Sequence, residues 1–243
     1  SILTVLGGVA ATLQARDIAE HFDAVDMIVK GEAEPALPTL IRQAVGDKAF
    51  HTVPSAVLLK DGDLIDNPRQ FMRPEEELPR PDYSLIDMEV YRKHNEAHPY
   101  IVPGFALVES GRGCQFNCTF CAPAKMWERR VRKNSLDQII EEMTFLKKNG
   151  FDFTFFTQDN LDVPFLRELS TELIQRQVNI PWGGYARINQ IDDETLELLL
   201  GSGCKLLFVG LESPNERSQK YIRKVLKRSD MLAQIKKFKT KGI

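Results

Sequence analysis

The chain has 243 residues, 43% of them apolar and 27% charged, with a formal net charge of -2. This is the make-up of an ordinary globular protein, long enough for one large or two small domains. The charge balance argues against a broadly basic nucleic-acid-binding surface, and no run of about 18 apolar residues offers a transmembrane helix. Four cysteines, three of them clustered, do not form a secreted disulfide framework, so a reducing cytoplasm is the expected setting.

In chain order, residues 2–6 are apolar and partly β-branched and predict a strand, which Gly7-Gly8 breaks. A helical pattern follows in Ala10, Leu13, Ile18 and Phe22. Next come a short strand over 26–30, a loop at Gly31-Glu-Ala-Glu34, and a helix over 37–45 starting near Pro35 or Pro38. Strand, helix, strand, helix favours a parallel sheet with covering helices, and glycines at a strand's carboxyl end let a ligand approach the backbone. Asp61-Gly62, between two apolar runs in 57–65, signals a type I′ hairpin. From 67 to 103 the chain turns rich in Pro, Glu and Arg, which predicts a stiff, solvated linker.

Residues 106–109 predict another strand, leading into a cysteine-rich loop. After the loop, Ser135-Leu-Asp-Gln138 reads as a capping box for a helix with Leu136, Ile139, Ile140, Met143 and Leu146 on one face, ended by Gly150. Further strands are expected over 151–157, 180–187 and 205–211. Asp162 and Asp192 cap the intervening helices, and helices broken near Ser229 fill the remainder. Such a succession implies a parallel sheet curling toward a barrel, with reactive groups at the carboxyl ends of its strands. The last strand would present a bare edge. Cys204 reads as a small buried residue, Trp127 and Trp182 as packing residues, and Arg129, Arg130 and Arg132 as a solvated basic face more than a site for an acidic substrate. Because the chain starts in a strand and stops just after a helix-ending glycine, a segment of a longer protein is expected.

The chemistry lies in Gly111-Arg-Gly-Cys-Gln-Phe-Asn-Cys-Thr-Phe-Cys121, where Cys114, Cys118 and Cys121 stand in the pattern C-x3-C-x2-C. Thiolates at this spacing can surround one inorganic centre, and thiolate selects zinc, copper(I) or an iron–sulfur cluster. A structural zinc site needs a fourth ligand, for which upstream His94 or His98 are candidates; three unligated thiols are another reading. A four-iron cubane on three thiolates instead leaves one iron open for a chelating cofactor.

With Phe120 just before the last cysteine, this loop resembles that of radical S-adenosylmethionine (SAM) enzymes. The resemblance implies a 4Fe-4S cluster on Cys114, Cys118 and Cys121, and S-adenosylmethionine cleaved to a 5′-deoxyadenosyl radical, with the cofactor carrying the hard chemistry. Upstream, Val5-Leu-Gly-Gly-Val-Ala-Ala-Thr12 and Ile28-Val-Lys-Gly-Glu-Ala-Glu34 resemble the closing part of the cobalamin-binding domain that precedes many such enzymes. Leu-Pro-x-Pro-Asp-Tyr-Ser, within 78–84, resembles the segment joining the two domains.

The fold so implied is α/β. It has the C-terminal part of a Rossmann-like cobalamin-binding domain over 1–66, a linker over 67–103, and over 104–243 the first four of six units of a partial (β/α) barrel. Carried over residue by residue, the resemblance gives S-adenosylmethionine contacts at Phe120, Gln158, Asp159, Asn160, Arg187, Glu212 and Ser213, and cobalamin contacts at Gly7, Gly8, Gly31 and Glu32. Arg187 would pair with the methionine carboxylate through its guanidinium fork. A small-molecule substrate, an electron donor such as flavodoxin or ferredoxin, and methyl transfer, oxidative cyclisation or rearrangement are the expected partners and reactions; a cyclase or rearrangement enzyme with an empty N-terminal domain, and a non-enzymatic metal protein that binds a partner, are the alternatives.

Overall fold

The computed structural model describes residues 2–73, 78–97 and 104–243. Its elements are β1 (Val5–Leu6), α1 (Val9–Leu13), α2 (Ala15–His21), β2 (Met27–Val29), α3 (Leu37–Val45), β3 (Ala56–Lys60), β4 (Asp63–Asp66), α4 (Met88–Ala97), β5 (Phe105–Val108) and β6 (Gly111–Arg112). They continue with α5 (Ala122–Met126), β7 (Arg132–Lys133), α6 (Leu136–Lys148), β8 (Phe153–Phe156), α7 (Val163–Gln175), β9 (Trp182–Tyr185), α8 (Asp193–Gly201), β10 (Cys204–Phe208), α9 (Glu216–Tyr221) and α10 (Arg228–Lys241). Contacts divide the chain into two compact units, Ser1–Glu76 with Cys121–Glu128, and Glu77–Phe120 with Arg129–Ile243.

The first unit is a four-stranded sheet in the order β1-β2-β3-β4. Only β1 and β2 are parallel; β2 with β3 and β3 with β4 run antiparallel, so the expected parallel sheet is mixed. Alternation along β2 explains the packing, because successive side chains leave opposite faces of a strand. Met27 and Val29 join Leu40 of α3 and Ala56, whereas Ile28 and Val57 meet Ala11, Ala15 and Ala19. The helical pattern after Gly8 is thus broken at Gln14 into two helices that dock through small residues four apart. Ala10, Leu13 and Phe22 of the helical pattern are exposed, and the contact with the sheet is made by the alanines, which let helix and sheet approach more closely than leucine would. Asp61 and Gly62 have φ of 52° and 90°, the pair of positive values that a type I′ turn requires.

Within the stretch read as linker, residues 74–77 and 98–103 lie outside the described residues, and His98 among them. The rest is more ordered than its composition implies, with a 3-10 turn at Tyr83–Leu85 as well as α4. The phenol of Tyr83 donates a 2.6 Å hydrogen bond to Glu142 Oε1, and Leu78 donates its N–H to Asn134 Oδ1 at 2.9 Å. Glu142 is buried in α6. That burial pushes its carboxyl above the ordinary carboxylic value, while burial and the neighbouring Glu142 raise the Tyr83 phenol.

The second unit carries four parallel strands in sequence order, β5-β8-β9-β10, with β5 and β10 at the ends. One face, with Ala106, Val108, Phe156, Trp182 and Cys204, packs on Ile139, Met143, Leu166, Leu169 and Leu199 of α6, α7 and α8. Truncating a fully buried leucine such as Leu169 to alanine costs about 2–5 kcal/mol. The opposite face is aromatic: Phe105, Phe155, Tyr185 and Phe208 make ring contacts across the strands at 5.1–6.0 Å. Trp182 is fully buried and donates Nε1–H to Ser202 O at 3.1 Å, and Cys204 is buried as expected, its thiol pushed up to about 12 by desolvation.

The helix caps are as the sequence predicts, with one exception. Asp162 accepts from Phe165 N–H at 3.0 Å and Asp192 from Thr195 N–H at 2.9 Å. Ser135 accepts from Gln138 N–H at 3.2 Å, but the Gln138 side chain does not close the capping box; its Nε2 donates to Leu78 O at 2.8 Å. The final helical region breaks at 222–227, earlier than Ser229, where Arg223 and Val225 take left-handed φ of 57° and 55°. Among the described residues no helix is long and apolar enough to cross a membrane.

Candidate functional site

The cysteine loop leaves the carboxyl end of β5 and is clasped at its neck by an antiparallel ribbon, β6 against β7. Gly113, the residue before Cys114, has φ of +95°, and a Cβ there would lie 1.9 Å from Arg130 O, so only glycine can hold this turn. Its N–H donates to Asp159 Oδ2 at 3.2 Å, which ties the loop to the turn after β8. Arg112 grips Glu109 through two hydrogen bonds of 2.7 and 3.1 Å, and Thr119 N–H donates to Ile222 O at 3.1 Å. Arg129 Nε donates to Gln115 O at 3.4 Å. Cys114, Cys118 and Cys121 are all half-buried on this loop.

The exit of β9 supplies Arg187. The residue follows the strand instead of lying in it, and caps the 3-10 turn Ile188–Gln190 that contains Asn189. Its guanidinium carbon lies 3.9 Å from the centroid of the Phe116 ring, inside the span between Cys114 and Cys118. One terminal nitrogen donates to Lys224 O, while Nε is buried without a hydrogen-bond partner among the described residues. Burial lowers the Arg187 pKa, opposed by the nearby thiols of Cys118 and Cys114, and a guanidinium stays cationic at neutral pH regardless.

The turn after β8 divides its labour. Gln158 is fully buried and internal: its Nε2 donates to Asn160 O at 3.2 Å and its Oε1 accepts from Ser110 Oγ at 3.4 Å. Asp159 anchors Gly113. Asn160 is buried with Nδ2 lacking a hydrogen-bond partner among the described residues, a second orphaned donor in this region.

β10 ends at Phe208, so Gly210-Leu-Glu-Ser213 is loop, not strand. Glu212 sits in the left-handed region at φ of +63° and pairs with Lys224 Nζ at 2.9 Å; Ser213 Oγ accepts from Asn215 N–H at 3.1 Å. Gln219, 1% exposed, spans this exit: its Nε2 donates to Leu211 O at 2.7 Å and Ser213 O at 2.6 Å, and its Oε1 accepts from Leu226 N–H at 3.3 Å. Lys224 therefore joins Glu212 through its side chain to Arg187 through its carbonyl.

Arg187 and Asp159 thus meet the cysteine loop directly, and Glu212 reaches Arg187 through Lys224. Phe120 is 55% exposed. Arg132, read as part of a solvated face, is buried, whereas Arg129 and Arg130 are exposed. Sequence reasoning missed Phe116, Lys224, Gln219 and Thr119. An aromatic inside C-x3-C was visible for the first, but the others matter through contacts distant in sequence.

In the first unit, Gly7 and Gly8 follow β1 as bare backbone. A Cβ on Gly8 would meet nothing within 4 Å, and one on Gly7 would reach only Val29 O at 3.8 Å. Gly31 N–H donates to Thr12 Oγ1 at 2.9 Å. Glu32, 2% exposed, turns inward, its Oε2 accepting from Met72 N–H at 2.8 Å. Arg69 NH1 donates to Lys125 O and Met126 O at 3.0 and 2.9 Å, holding α5 in the same unit.

No group of three His, Cys, Asp or Glu side chains among the described residues is gathered closely enough to hold a metal ion. The donor chemistry nevertheless suits an iron–sulfur cluster: three soft sulfurs within eight residues on one glycine-hinged loop, beside a fixed guanidinium. The orphaned Arg187 Nε and Asn160 Nδ2 suit a ligand bearing acceptor oxygens.

Residues 108–243 match the Radical SAM superfamily. Among curated proteins, the chain is 24% identical over 247 residues to an uncharacterized methyltransferase of Pyrococcus horikoshii, covering 100% of this chain and 52% of that one. It is 29% identical over 225 residues to the anaerobic magnesium-protoporphyrin IX monomethyl ester cyclase of Rubrivivax gelatinosus, covering 87% and 39%. Among solved structures, the cobalamin-dependent S-adenosylmethionine radical enzyme OxsB superposes with a TM-score of 0.77 at 18% identity, over 95% of this chain and 34% of that one. The radical S-adenosylmethionine methyltransferase TsrM of Kitasatospora setae, with cobalamin and a [4Fe-4S] cluster bound, gives 0.76 at 16% identity, over 98% and 49%. The chain spans about half or less of the length of these proteins. The structural likenesses establish the fold, and the match over more than half of the chain, with the cysteine loop inside it, makes this chain a member of the radical SAM superfamily.

Proposed function

We propose that this chain forms part of an enzyme that generates a 5′-deoxyadenosyl radical from S-adenosylmethionine at a 4Fe-4S cluster, with cobalamin as a further cofactor, to methylate a small-molecule substrate. In this reading residues 1–66 close a cobalamin-binding domain, 67–103 connect it, and 104–243 form the first four of six units of a (β/α) barrel. The observation that carries the proposal is the placement of Arg187, from the exit of the third parallel strand, within the Cys114–Cys118 span.

Cys114, Cys118 and Cys121 would hold the cluster, which supplies an electron and an open iron for the sulfonium cofactor. Arg187 would orient the cofactor by offering its unpartnered Nε to the carboxylate, with the Phe116 ring, 3.9 Å from the guanidinium carbon, holding the side chain in place. Asp159 fixes the loop by its bond to Gly113, and Asn160 offers an amide donor. Glu212, Ser213 and the exposed ring of Phe120 are assigned to the ribose and adenine. In the other unit, Gly7, Gly8 and Gly31 offer backbone to the cobalamin tail, while Glu32 holds residue 72 behind that surface.

The test is anaerobic reconstitution with iron and sulfide, followed by reduction with dithionite in the presence of S-adenosylmethionine. About four irons per chain, a reduced-cluster EPR signal and 5′-deoxyadenosine formation are expected. Stoichiometric zinc with no deoxyadenosine refutes the proposal. Corrinoid retained after growth with cobalamin supports its second cofactor. Cyclisation is the second reading, favoured by the 29% identity to a cyclase.

A further inference from the structure

The segment between Arg217 and Arg228 contains six cations and no acidic residue, in a chain whose net charge is -2. Only Lys224 is paired, to Glu212. Arg217, Lys220, Arg223, Lys227 and Arg228 are all exposed, and none has a carboxylate partner among the described residues. Among them stand two exposed apolar side chains, Tyr221 at 82% and Val225 at 65% exposure. The segment also touches the cysteine loop: Ile222 O accepts from Thr119 N–H, between Cys118 and Cys121. Gln219 and Lys224 brace it from within, so the cations project from a fixed base.

We propose that this patch is the docking surface for an acidic one-electron carrier protein that reduces the cluster; the inference rests on the radical SAM reading above. The step is a single electron transfer in which the reduced carrier is oxidised by one electron and the cluster is reduced by one, with no bond made or broken. Unpaired cations around a small apolar centre steer an acidic partner by long-range attraction and hold it briefly, as suits a carrier that must leave after each transfer. The Thr119–Ile222 hydrogen bond makes the docking site and the thiol loop neighbours, which keeps the electron's path short.

The test uses the reconstituted protein and a purified flavodoxin, a net-acidic carrier, in equilibrium binding at increasing salt and in stopped-flow reduction. Charge reversal at Lys220→Glu, Arg223→Glu and Lys227→Glu leaves Lys224 and the cysteines untouched. The expected result is affinity that falls with salt in the wild type and about tenfold or weaker binding in the variant, with carrier-driven reduction slowed in proportion. Dithionite-driven deoxyadenosine formation should stay unchanged; if the wild type forms none, the radical reading fails while the binding measurement still judges the surface. A milder set, Lys220→Gln, Arg223→Gln and Lys227→Gln, serves if the reversed variant does not fold. Flavodoxin affinity that is absent, or unaltered by the substitutions, overturns the proposal. So does a 20-nucleotide RNA that binds the patch more tightly than the carrier and displaces it.

Discussion

The guanidinium carbon of Arg187 lies 3.9 Å from the centroid of the Phe116 ring, so an arginine from the exit of one strand is seated against the loop that leaves another. A cation over an aromatic face contributes about 0.5–2 kcal/mol. Arg187→Lys keeps the charge but loses the planar fork, and its S-adenosylmethionine dissociation constant should rise by about tenfold or more. Phe116→Leu should cost about 1 kcal/mol, or roughly fivefold in the same constant, with iron content unchanged. Equilibrium binding with radiolabelled cofactor, alongside iron analysis, measures both.

Gly113→Ala is expected to act on the loop without touching a thiol. The new methyl would collide with Arg130 O and force a left-handed residue out of its region, breaking the bond to Asp159. Reconstituted iron should fall to a small fraction of wild type while the far-ultraviolet circular dichroism is retained. Wild-type iron content in this variant would count against the assigned role of the turn.

The four cysteines should separate cleanly. Alanine at Cys114, Cys118 or Cys121 is expected to abolish cluster formation and deoxyadenosine production. Cys204→Ala removes a sulfur from the core behind β10, so it should cost about 1 kcal/mol of stability and leave iron content intact. Iron and sulfide analysis with urea melts provides the comparison.

Glu142 and Tyr83 predict a pH dependence of stability. Desolvation raises the folded-state pKa of Glu142 above the ordinary carboxylic value, so the folded protein keeps that proton after the unfolded chain has lost it. This contribution to stability is fully present below the ordinary carboxylic pKa and is lost as pH rises through the raised folded value. Glu142→Gln should flatten urea midpoints over that window. Tyr83→Phe removes the 2.6 Å hydrogen bond to a buried carboxyl and should destabilise by about 1–3 kcal/mol near neutral pH.

Much of this architecture was legible locally. Asp162, Asp192, Gly150 and the Asp61-Gly62 turn act through neighbours within a few residues, so the sequence alone locates them. Strand ends were less legible. Residues 180–187 and 205–211 read as longer strands, while the observed strands stop at Tyr185 and Phe208. The spacing of Ala10, Leu13, Ile18 and Phe22 reveals helix but not its packing face, which is made by Ala11, Ala15 and Ala19. The antiparallel pairing of β2 with β3 followed from strand order that periodicity does not encode. Within the candidate site, the cysteine spacing stands out in the sequence and Arg187 entered through the family resemblance, but the link from Glu212 through Lys224 to Arg187 joins residues up to 37 apart in sequence, which only the fold reveals.

Gln219 gives the mouth an uneven foundation. The bonds after the fourth parallel strand are otherwise exposed or local, namely the Glu212–Lys224 pair and the Ser213–Asn215 contact, while one buried amide grips two carbonyls of that path at once. Damage there should spare the core and blur the shape of one wall, leaving a protein that folds, keeps its iron and handles its cofactor carelessly.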